Sequence, residues 1–164
     1  MNYYTPKQIV ETVSSVAASK ASTSTPKTLV LAFLAGAYIA IGGLLAVIIG
    51  GGIPGIAAEN PGIQKFLMGA AFPIGLMLCT LAGADLFTGN TAYFIPPVMD
   101  KKLHVTALLR NWTLVYFGNF VGALFVAYFM VALTGVLAKS PWLESIYSIA
   151  ELKTSAPFYK VLLK

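Results

Sequence analysis

Residues 83–90 read Gly83-Ala84-Asp85-Leu86-Phe87-Thr88-Gly89-Asn90, a loop-like octapeptide set between apolar stretches of the chain. Glycine, aspartate and asparagine favour turns, so this segment predicts a break in the preceding helix. Hydrocarbon cannot satisfy free backbone N–H and C=O groups, and a broken helix survives in a membrane only where it is buried in protein or lines a polar path. A charged residue at such a break indicates a functional site by default. The octapeptide therefore points to a conduit through a bilayer.

Composition supports a membrane location, because 57% of the residues are hydrophobic and only 10% are charged. Three runs carry no charge, namely Thr28 to Ala58, Phe66 to Ala84 and Asn111 to Ala138. Each is long enough for about 20 helical residues to cross roughly 30 Å of hydrocarbon. We therefore predict an all-α integral membrane protein with three spans, the second broken at its end. The long apolar faces favour assembly with further helices.

The amino-terminal segment has the pattern of a short amphipathic helix. Thr5-Pro6-Lys7-Gln8 is typical of a capping box with proline at the first helical position. Apolar residues then recur at helical spacing, at Ile9, Val10, Val13, Val16 and Ala17. We expect a retained arm over residues 1–27 that lies on the membrane or on a neighbouring subunit and ends in a Ser/Thr-rich linker from Ser19 to Thr25, before a membrane domain over residues 28–164. A frayed terminal helix without function is the alternative.

Basic residues predict the orientation, since they are enriched on the cytoplasmic side of membrane spans. They cluster in the amino-terminal arm and in the loop before the third span, at Lys7, Lys20, Lys27, Lys101, Lys102 and Arg110. We therefore expect a multi-pass protein of the inner or plasma membrane with a cytoplasmic amino terminus. The positive charge suits the anionic headgroups of a lipid bilayer. The sequence lacks the mixed aromatic and basic pattern of nucleic-acid binding, so no nucleic-acid partner is expected.

Small residues at helical spacing predict close helix contacts in the membrane. Gly118 and Gly122 form a small-xxx-small motif in the third span, and Gly36 and Gly43 lie on nearly one face of the first. We interpret all four as packing residues.

Bulky apolar residues flank the predicted break. Phe72 and Leu76 are four residues apart and share a helix face, while Leu86 and Phe87 follow on the expected loop. Four such groups could close a narrow waist that excludes a hydrated ion. Packing of Phe72 and Leu76 against neighbouring helices explains the same spacing and stays open.

Polar residues of the octapeptide have several possible roles. The Thr88 hydroxyl can pass a proton or orient a small anion, and Gly89 permits unusual backbone angles. Asp85 and Asn90 are good helix caps, which we favour over direct contact with a substrate. Because a bare carboxylate at the neck of an anion path would repel the anion, we expect Asp85 to be hydrogen-bonded away from the pore axis.

Two long motifs give the sequence a family resemblance. Residues 83–88 and the stretch Arg110-Asn111-Trp112-Thr113-Leu114-Val115-Tyr116-Phe117-Gly118-Asn119-Phe120-Val121-Gly122-Ala123 resemble the formate/nitrite transporter family. The segment Ala35-Gly36-Ala37-Tyr38-Ile39-Ala40-Ile41-Gly42-Gly43 is similar to the family pattern as well. The resemblance extends from the amphipathic arm to Lys164.

This resemblance implies an aquaporin-like fold and a homopentamer in which each protomer has its own pore for small monovalent anions. Formate, nitrite, hydrosulfide and lactate occur as substrates across the family. Positions matching Phe72, Leu76, Leu86 and Phe87 form the apolar constrictions, and the position matching Thr88 faces a pore histidine. Lys153 matches a lysine that attracts anions to the outer vestibule.

Family members have six spans in two inverted repeats, and their pore histidine lies in the fifth span. Here a fourth span would only begin at Pro157 to Lys164, so we expect this chain to supply the first half of a pore. A truncated or structural subunit without transport activity is the alternative. We expect no enzyme, metal or cofactor, because Asp85, Asp100 and His104 are too sparse for a catalytic site and Cys79 is a lone thiol.

Overall fold

The computed structural model describes residues 3–163, and within that range every regular element is helical. The elements are α1 Pro6–Ala21, α2 Thr25–Gly51, α3 Pro54–Glu59, α4 Pro61–Ala71, α5 Ile74–Leu81, α6 Phe87–Tyr93, α7 Ile95–Met99, α8 Val105–Phe125, a π-helical segment Val126–Ala132, α9 Trp142–Thr154 and α10 Phe158–Leu163. Three helical stretches are long and apolar enough to cross a membrane: Thr25–Gly51, Pro61–Leu81 and Val105–Ala132. The prediction of an all-helical chain with three spans is confirmed.

Each span differs in detail from the predicted run. The first begins at Thr25, before the expected domain boundary at residues 27/28, because Pro26 fits the first turn of a helix. The second turns at Phe72 and Pro73, since proline lacks the N–H that would continue the helical hydrogen bonds. The third continues into the π-helical segment and ends at Ala132, short of Ala138.

Helix α2 is the centre of the bundle. The Cys79 thiol approaches the Ala35 carbonyl oxygen at 3.5 Å, and Gln64 Nε2 donates to the Gly50 carbonyl at 2.7 Å. The earlier residue, Gln64 of α4, thus contacts the end of α2, and the later residue, Cys79 of α5, contacts an earlier part of α2. Helices α4 and α5 are therefore antiparallel to α2. Arg110 Nη2 donates to Thr25 Oγ1 at 2.8 Å near the start of both α2 and α8. Asn119 Nδ2 donates to the Ala32 carbonyl further along both helices, so the two helices run parallel.

Close helix contacts occur at three of the four predicted glycines. A Cβ atom at Gly36 would overlap the Asn119 carbonyl oxygen, one at Gly118 would come within 2.5 Å of Ala32 Cβ, and one at Gly122 would overlap the Phe33 carbonyl oxygen. A Cβ at Gly43 would meet nothing within 4 Å, so the predicted packing role of Gly43 is wrong within this chain. The face of α2 that meets α5 instead contains Gly42, whose Cβ would lie 2.6 Å from the Phe72 carbonyl oxygen.

The amino-terminal arm forms the predicted helix. The Thr5 N–H donates to Gln8 Oε1 at 2.8 Å, and the Gln8 N–H donates to Thr5 Oγ1 at 3.4 Å, which completes the capping box. Helix α1 packs on its own chain, where Ala17 is fully buried in a cluster with Phe94 and Leu108. Ile9 and Val10 of the predicted apolar face remain exposed, so contact of this part of the arm with a membrane or a neighbouring subunit stays a prediction.

The predicted linker is shorter than expected, because helix α1 continues to Ala21 and leaves only residues 22–24 outside regular helix. The Ser22 and Thr23 hydroxyls donate to the Ser19 carbonyl at 2.8 and 3.0 Å and extend the helix end. Arg110 Nη2 also donates to the Thr23 carbonyl at 3.2 Å. These bonds anchor the turn between α1 and α2 to the start of α8.

Candidate functional site

The break in the second span covers residues 82–86, between α5 and α6. Gly83 has φ +62°, a left-handed angle that glycine adopts without steric cost. The Ala84 N–H donates to the Cys79 carbonyl at 2.9 Å, and the Asp85 N–H donates to the Leu31 carbonyl of α2 at 3.1 Å. Protein groups thus satisfy this part of the irregular backbone, as a membrane location requires.

The break is shorter than the sequence predicted. Gly89 and Asn90 both donate their N–H groups to the Leu86 carbonyl, at 3.1 and 3.0 Å, and this starts helix α6 at Phe87. Residues 87–90 are therefore helical, and the prediction that Phe87, Gly89 and Asn90 lie on a loop is wrong.

Asp85 is a buried carboxylate with specific partners. It forms an ion pair with Lys20 of α1, and Asn90 Nδ2 donates to Asp85 Oδ1 at 2.8 Å. The side chain of Asp85 is 4% exposed and that of Lys20 is 21% exposed, so both charges are largely removed from solvent. Burial of a charge is costly unless it is paired and hydrogen-bonded, and both conditions are met here.

The capping roles predicted for Asp85 and Asn90 are wrong, because Leu86 occupies the N-cap position of α6 and Asp85 bonds to side chains. Asn90 instead links two elements: its Nδ2 also donates to Asn111 Oδ1 of α8 at 2.8 Å. Trp112 Nε1 donates to the Asn90 carbonyl at 3.2 Å. Asn90 and Asn111 are both fully buried. A polar network therefore connects α1, the break, α6 and α8.

Asn119 of α8 holds the break from the other side. Its Nδ2 donates to the carbonyls of Ala32 and Asp85, at 2.7 and 2.9 Å, and its Oδ1 accepts from the Phe87 N–H at 2.9 Å. One amide side chain thus bridges α2 and the two backbone positions that flank Leu86.

A groove of about 660 Å³ opens beside the break. We call it the break groove; its lining includes Lys20, Leu76, Gly83, Leu86, Thr88 and Asn90. It combines apolar walls from Leu76 and Leu86 with a cation at Lys20 and a hydroxyl at Thr88. The groove thus offers a small molecule both apolar contacts and polar groups.

The structure brings together only part of the predicted constriction. Leu76 and Leu86 come from the two sides of the break and share the lining of the break groove. Phe72 lies at the turn between α4 and α5, and the lining does not include it. Phe87 packs against α8, where its ring meets Tyr116 and Trp112 edge to face at 5.3 and 6.2 Å. Phe87 also lines a smaller cavity of about 260 Å³ together with Leu86 and Thr88.

Lys153 is exposed in the last turn of α9. Helix α9 packs at the far end of α2, where Trp142 Nε1 donates to the Ile48 carbonyl at 2.9 Å. Asp85 contacts α2 near its start, at Leu31. Lys153 therefore belongs to the opposite end of the bundle from the Lys20–Asp85 pair.

Sequence reasoning missed Lys20, Asn111 and Asn119 as site residues. A polar amide inside a charge-free span is itself a signal, because such groups need hydrogen-bond partners in the membrane. Over residues 3–163 the structure contains no group of His, Cys, Asp and Glu side chains suited to a metal ion.

Three long apolar helices and a braced helix break define an integral membrane protein. A sequence model of the formate/nitrite transporter family matches residues 7–164. The chain belongs to the formate/nitrite transporter family.

Individual relatives are similar over nearly the whole chain. A protein of Methanothermobacter thermautotrophicus named "Probable formate transporter" is 41% identical over 93% of this chain and 55% of its own length. The formate channel BtFdhC of Bacillus thuringiensis is 39% identical over 99% of this chain and 61% of its own length. The formate channel FocA of Escherichia coli is 29% identical over 96% and 54%. The chain thus spans little more than half of these relatives, which are named as transporters or channels.

Proposed function

We propose that this chain forms the first half of a membrane pore for small monovalent anions such as formate or nitrite. The observation that carries the proposal is the braced break in the second span, with the break groove beside it. Irregular backbone in a membrane is tolerated where it is buried in protein or lines a water-filled path, and the break groove favours the second case. Family membership supplies the substrate class, and the names of the relatives in Bacillus thuringiensis and Escherichia coli favour formate.

The second half of the pore would come from sequence that corresponds to the uncovered part of the relatives. By the family resemblance, the complete protomer has an aquaporin-like fold of two inverted repeats, with the pore at their interface. Five such protomers would assemble in an inner or plasma membrane with the amino terminus in the cytoplasm. The long exposed apolar surfaces of α5 and α8 are consistent with burial against further helices or lipid.

Leu76 and Leu86 are the parts of the proposed constriction that face the break groove. A bare anion loses its hydration in a narrow apolar neck at high cost, whereas a protonated weak acid does not carry that charge. We therefore propose that formate passes the neck with a proton. The Thr88 hydroxyl, on the same groove, can donate to the substrate or accept from it. Phe72 lies outside the break groove and would join the constriction against the second half.

Lys153 would act before the anion reaches the break groove, because this residue lies at the opposite end of the bundle. An exposed cation raises the local concentration of anions without binding any of them tightly. It would thereby favour capture from dilute solution, and its effect would weaken with ionic strength.

Transport can be tested in liposomes that contain a completed protomer, defined here as this chain followed by the part of the Bacillus thuringiensis formate channel that the match does not cover. Uptake of formate and nitrite should exceed that of chloride and should rise when the outside is acidified. Liposomes with the intact Bacillus channel test the assay, and protein-free liposomes give the background. If the folded completed protomer carried neither anion above background, a structural subunit would be the better interpretation.

A further inference from the structure

Asn119 makes an unusual set of contacts for a side chain in a membrane span. Both of its amide hydrogens go to backbone carbonyls, those of Asp85 at 2.9 Å and Ala32 at 2.7 Å, while its oxygen accepts from the Phe87 N–H at 2.9 Å. A carboxamide has two donors and one acceptor oxygen, so both donors and the oxygen are engaged with backbone. Two of these bonds lie directly before and after Leu86.

The support for this amide is rigid. A Cβ atom at Gly36 would overlap the backbone of Asn119, so α2 and α8 are in direct backbone contact at this point. The bond to Ala32 fixes the amide plane on the same helix α2. Asn119 thus holds the break in a fixed position relative to the α2–α8 pair.

We infer that Asn119 is a positioning residue that holds Leu86 at the wall of the break groove. Its two bonds to the break fix the carbonyl of residue 85 and the N–H of residue 87, and they thereby fix the backbone from which Leu86 reaches the groove that Leu76 also lines. The consequence for anion selectivity rests on the proposed function, but the positioning of Leu86 does not.

Within residues 3–163, no other side chain near the break bonds to both the Asp85 carbonyl and the Phe87 N–H. Asn90 donates to Asp85 Oδ1, on the side chain of Asp85 rather than on its carbonyl, and Asn111 accepts a bond from Asn90. Removal of the Asn119 amide would leave a carbonyl and an N–H without partners beside an apolar neck, which favours a shift of the break until they find others.

The position of Leu86 can be measured without transport. In the full chain carrying Cys79→Ala, a thiol is introduced by Leu86→Cys, or by Leu76→Cys as a matched control on the same groove. The rate of maleimide modification in mild detergent is compared with and without Asn119→Leu, which has a similar volume but no hydrogen bonds. We expect the rate at position 86 to change about tenfold, as the loss of one to two net hydrogen bonds allows. The rate at position 76 should stay within about twofold, because Asn119 does not contact α5.

Circular dichroism and size exclusion establish that the variants compared are folded. If Asn119→Leu does not fold, Asn119→Gln replaces it, because this variant keeps the amide but displaces it by one methylene; the rate at position 86 should again change. An unchanged rate at position 86 in either folded variant, or equal changes at positions 86 and 76, overturns the inference.

Selectivity gives the second readout, in the completed protomer. A merely structural residue would lower formate and chloride fluxes by one common factor per folded protein, whereas a positioning residue alters their ratio. We expect Asn119→Leu to lower the ratio of formate to chloride flux and Thr113→Val, at an exposed site on α8, to leave it unchanged. A constant ratio would refute the link to selectivity. Absence of formate flux in the parent would instead refute the proposed function, while the thiol rates would still decide the role of Asn119.

Discussion

Lys20 of α1 forms an ion pair with Asp85 of the helix break, although the two residues are 65 positions apart in the chain. The amino-terminal arm is thereby joined to the centre of the candidate site. Lys20 also lies above the Tyr93 ring, with its Nζ 5.9 Å from the ring centroid, so the cation contacts both the break and α6.

Replacement of Lys20 by methionine should destabilise the fold. Lys20→Met preserves much of the packing volume but leaves the buried Asp85 carboxylate without its countercharge, at a cost of about 3 kcal/mol in the free energy of unfolding. Lys7→Met, on an exposed part of the same helix, should change it by less than about 0.5 kcal/mol. The double variant Lys20→Met with Asp85→Asn should recover part of the loss. Thermal unfolding in detergent measures all three; equal effects of Lys20→Met and Lys7→Met would show that the pair contributes no stability.

Two glycines of α2 provide a matched test of helix packing. Gly36→Ala places a methyl group against the Asn119 backbone and should destabilise the bundle by roughly 1 to 3 kcal/mol. Gly43→Ala meets no atom within 4 Å and should be neutral or stabilise the helix by about 0.5 kcal/mol. Unfolding of the two variants in the same detergent compares them directly. The account of the α2–α8 contact fails if Gly36→Ala is as stable as Gly43→Ala.

Local signals predicted the elements of this fold well. The capping box at Thr5, the charge-free runs and the turn-forming residues near Gly83 each depend on neighbours in sequence, so the helix starts, the spans and the break followed from them. The glycine pattern was less reliable, because rotation of α2 about its axis decides whether Gly42 or Gly43 meets α5. That rotation depends on contacts between distant segments.

The network around the break could not be obtained from spacing. Asp85 and Asn90 suit helix caps, and only the docking of α1 brings Lys20 close enough to bind the carboxylate instead. Asn119 sits in a stretch where Gly118 and Gly122 suggested packing alone, and its role depends on how α8 faces the break. The contact of Phe87 with α8 also depends on how distant helices dock, because its ring packs against Trp112 and Tyr116.

Thr88→Val tests the hydroxyl in the break groove. Valine has nearly the same shape but cannot donate or accept a hydrogen bond, so flux of formate through the completed protomer should fall while assembly is retained. The exposed Thr113→Val on α8 is the control. Liposome uptake driven by an acid outside measures the difference, and normal formate uptake by Thr88→Val would restrict this residue to a structural role.

Lys153→Gln tests attraction of anions at the other end of the bundle. Loss of the exposed charge should reduce formate uptake at low substrate concentration and leave the maximal rate nearly unchanged, since local enrichment matters only below saturation. The difference from the parent should shrink as salt is added and the Debye length falls from about 10 Å at 0.1 M. Lys160→Gln, in α10, controls for a general effect of net charge. Identical uptake curves for Lys153→Gln and the parent at low salt would exclude the proposed role.

The central claim is that anions pass the helix break between Leu76 and Leu86. The most direct measurement is the ratio of formate to chloride flux in liposomes that contain the completed protomer with both Leu76→Ala and Leu86→Ala. The parent and Leu81→Ala are measured beside it. Leu81 is a suitable control because it is 86% exposed and does not line the break groove. The account predicts that chloride flux rises relative to formate in the double variant, because a wider neck admits hydrated ions, while Leu81→Ala keeps the parental ratio. A folded double variant with the parental ratio would contradict it.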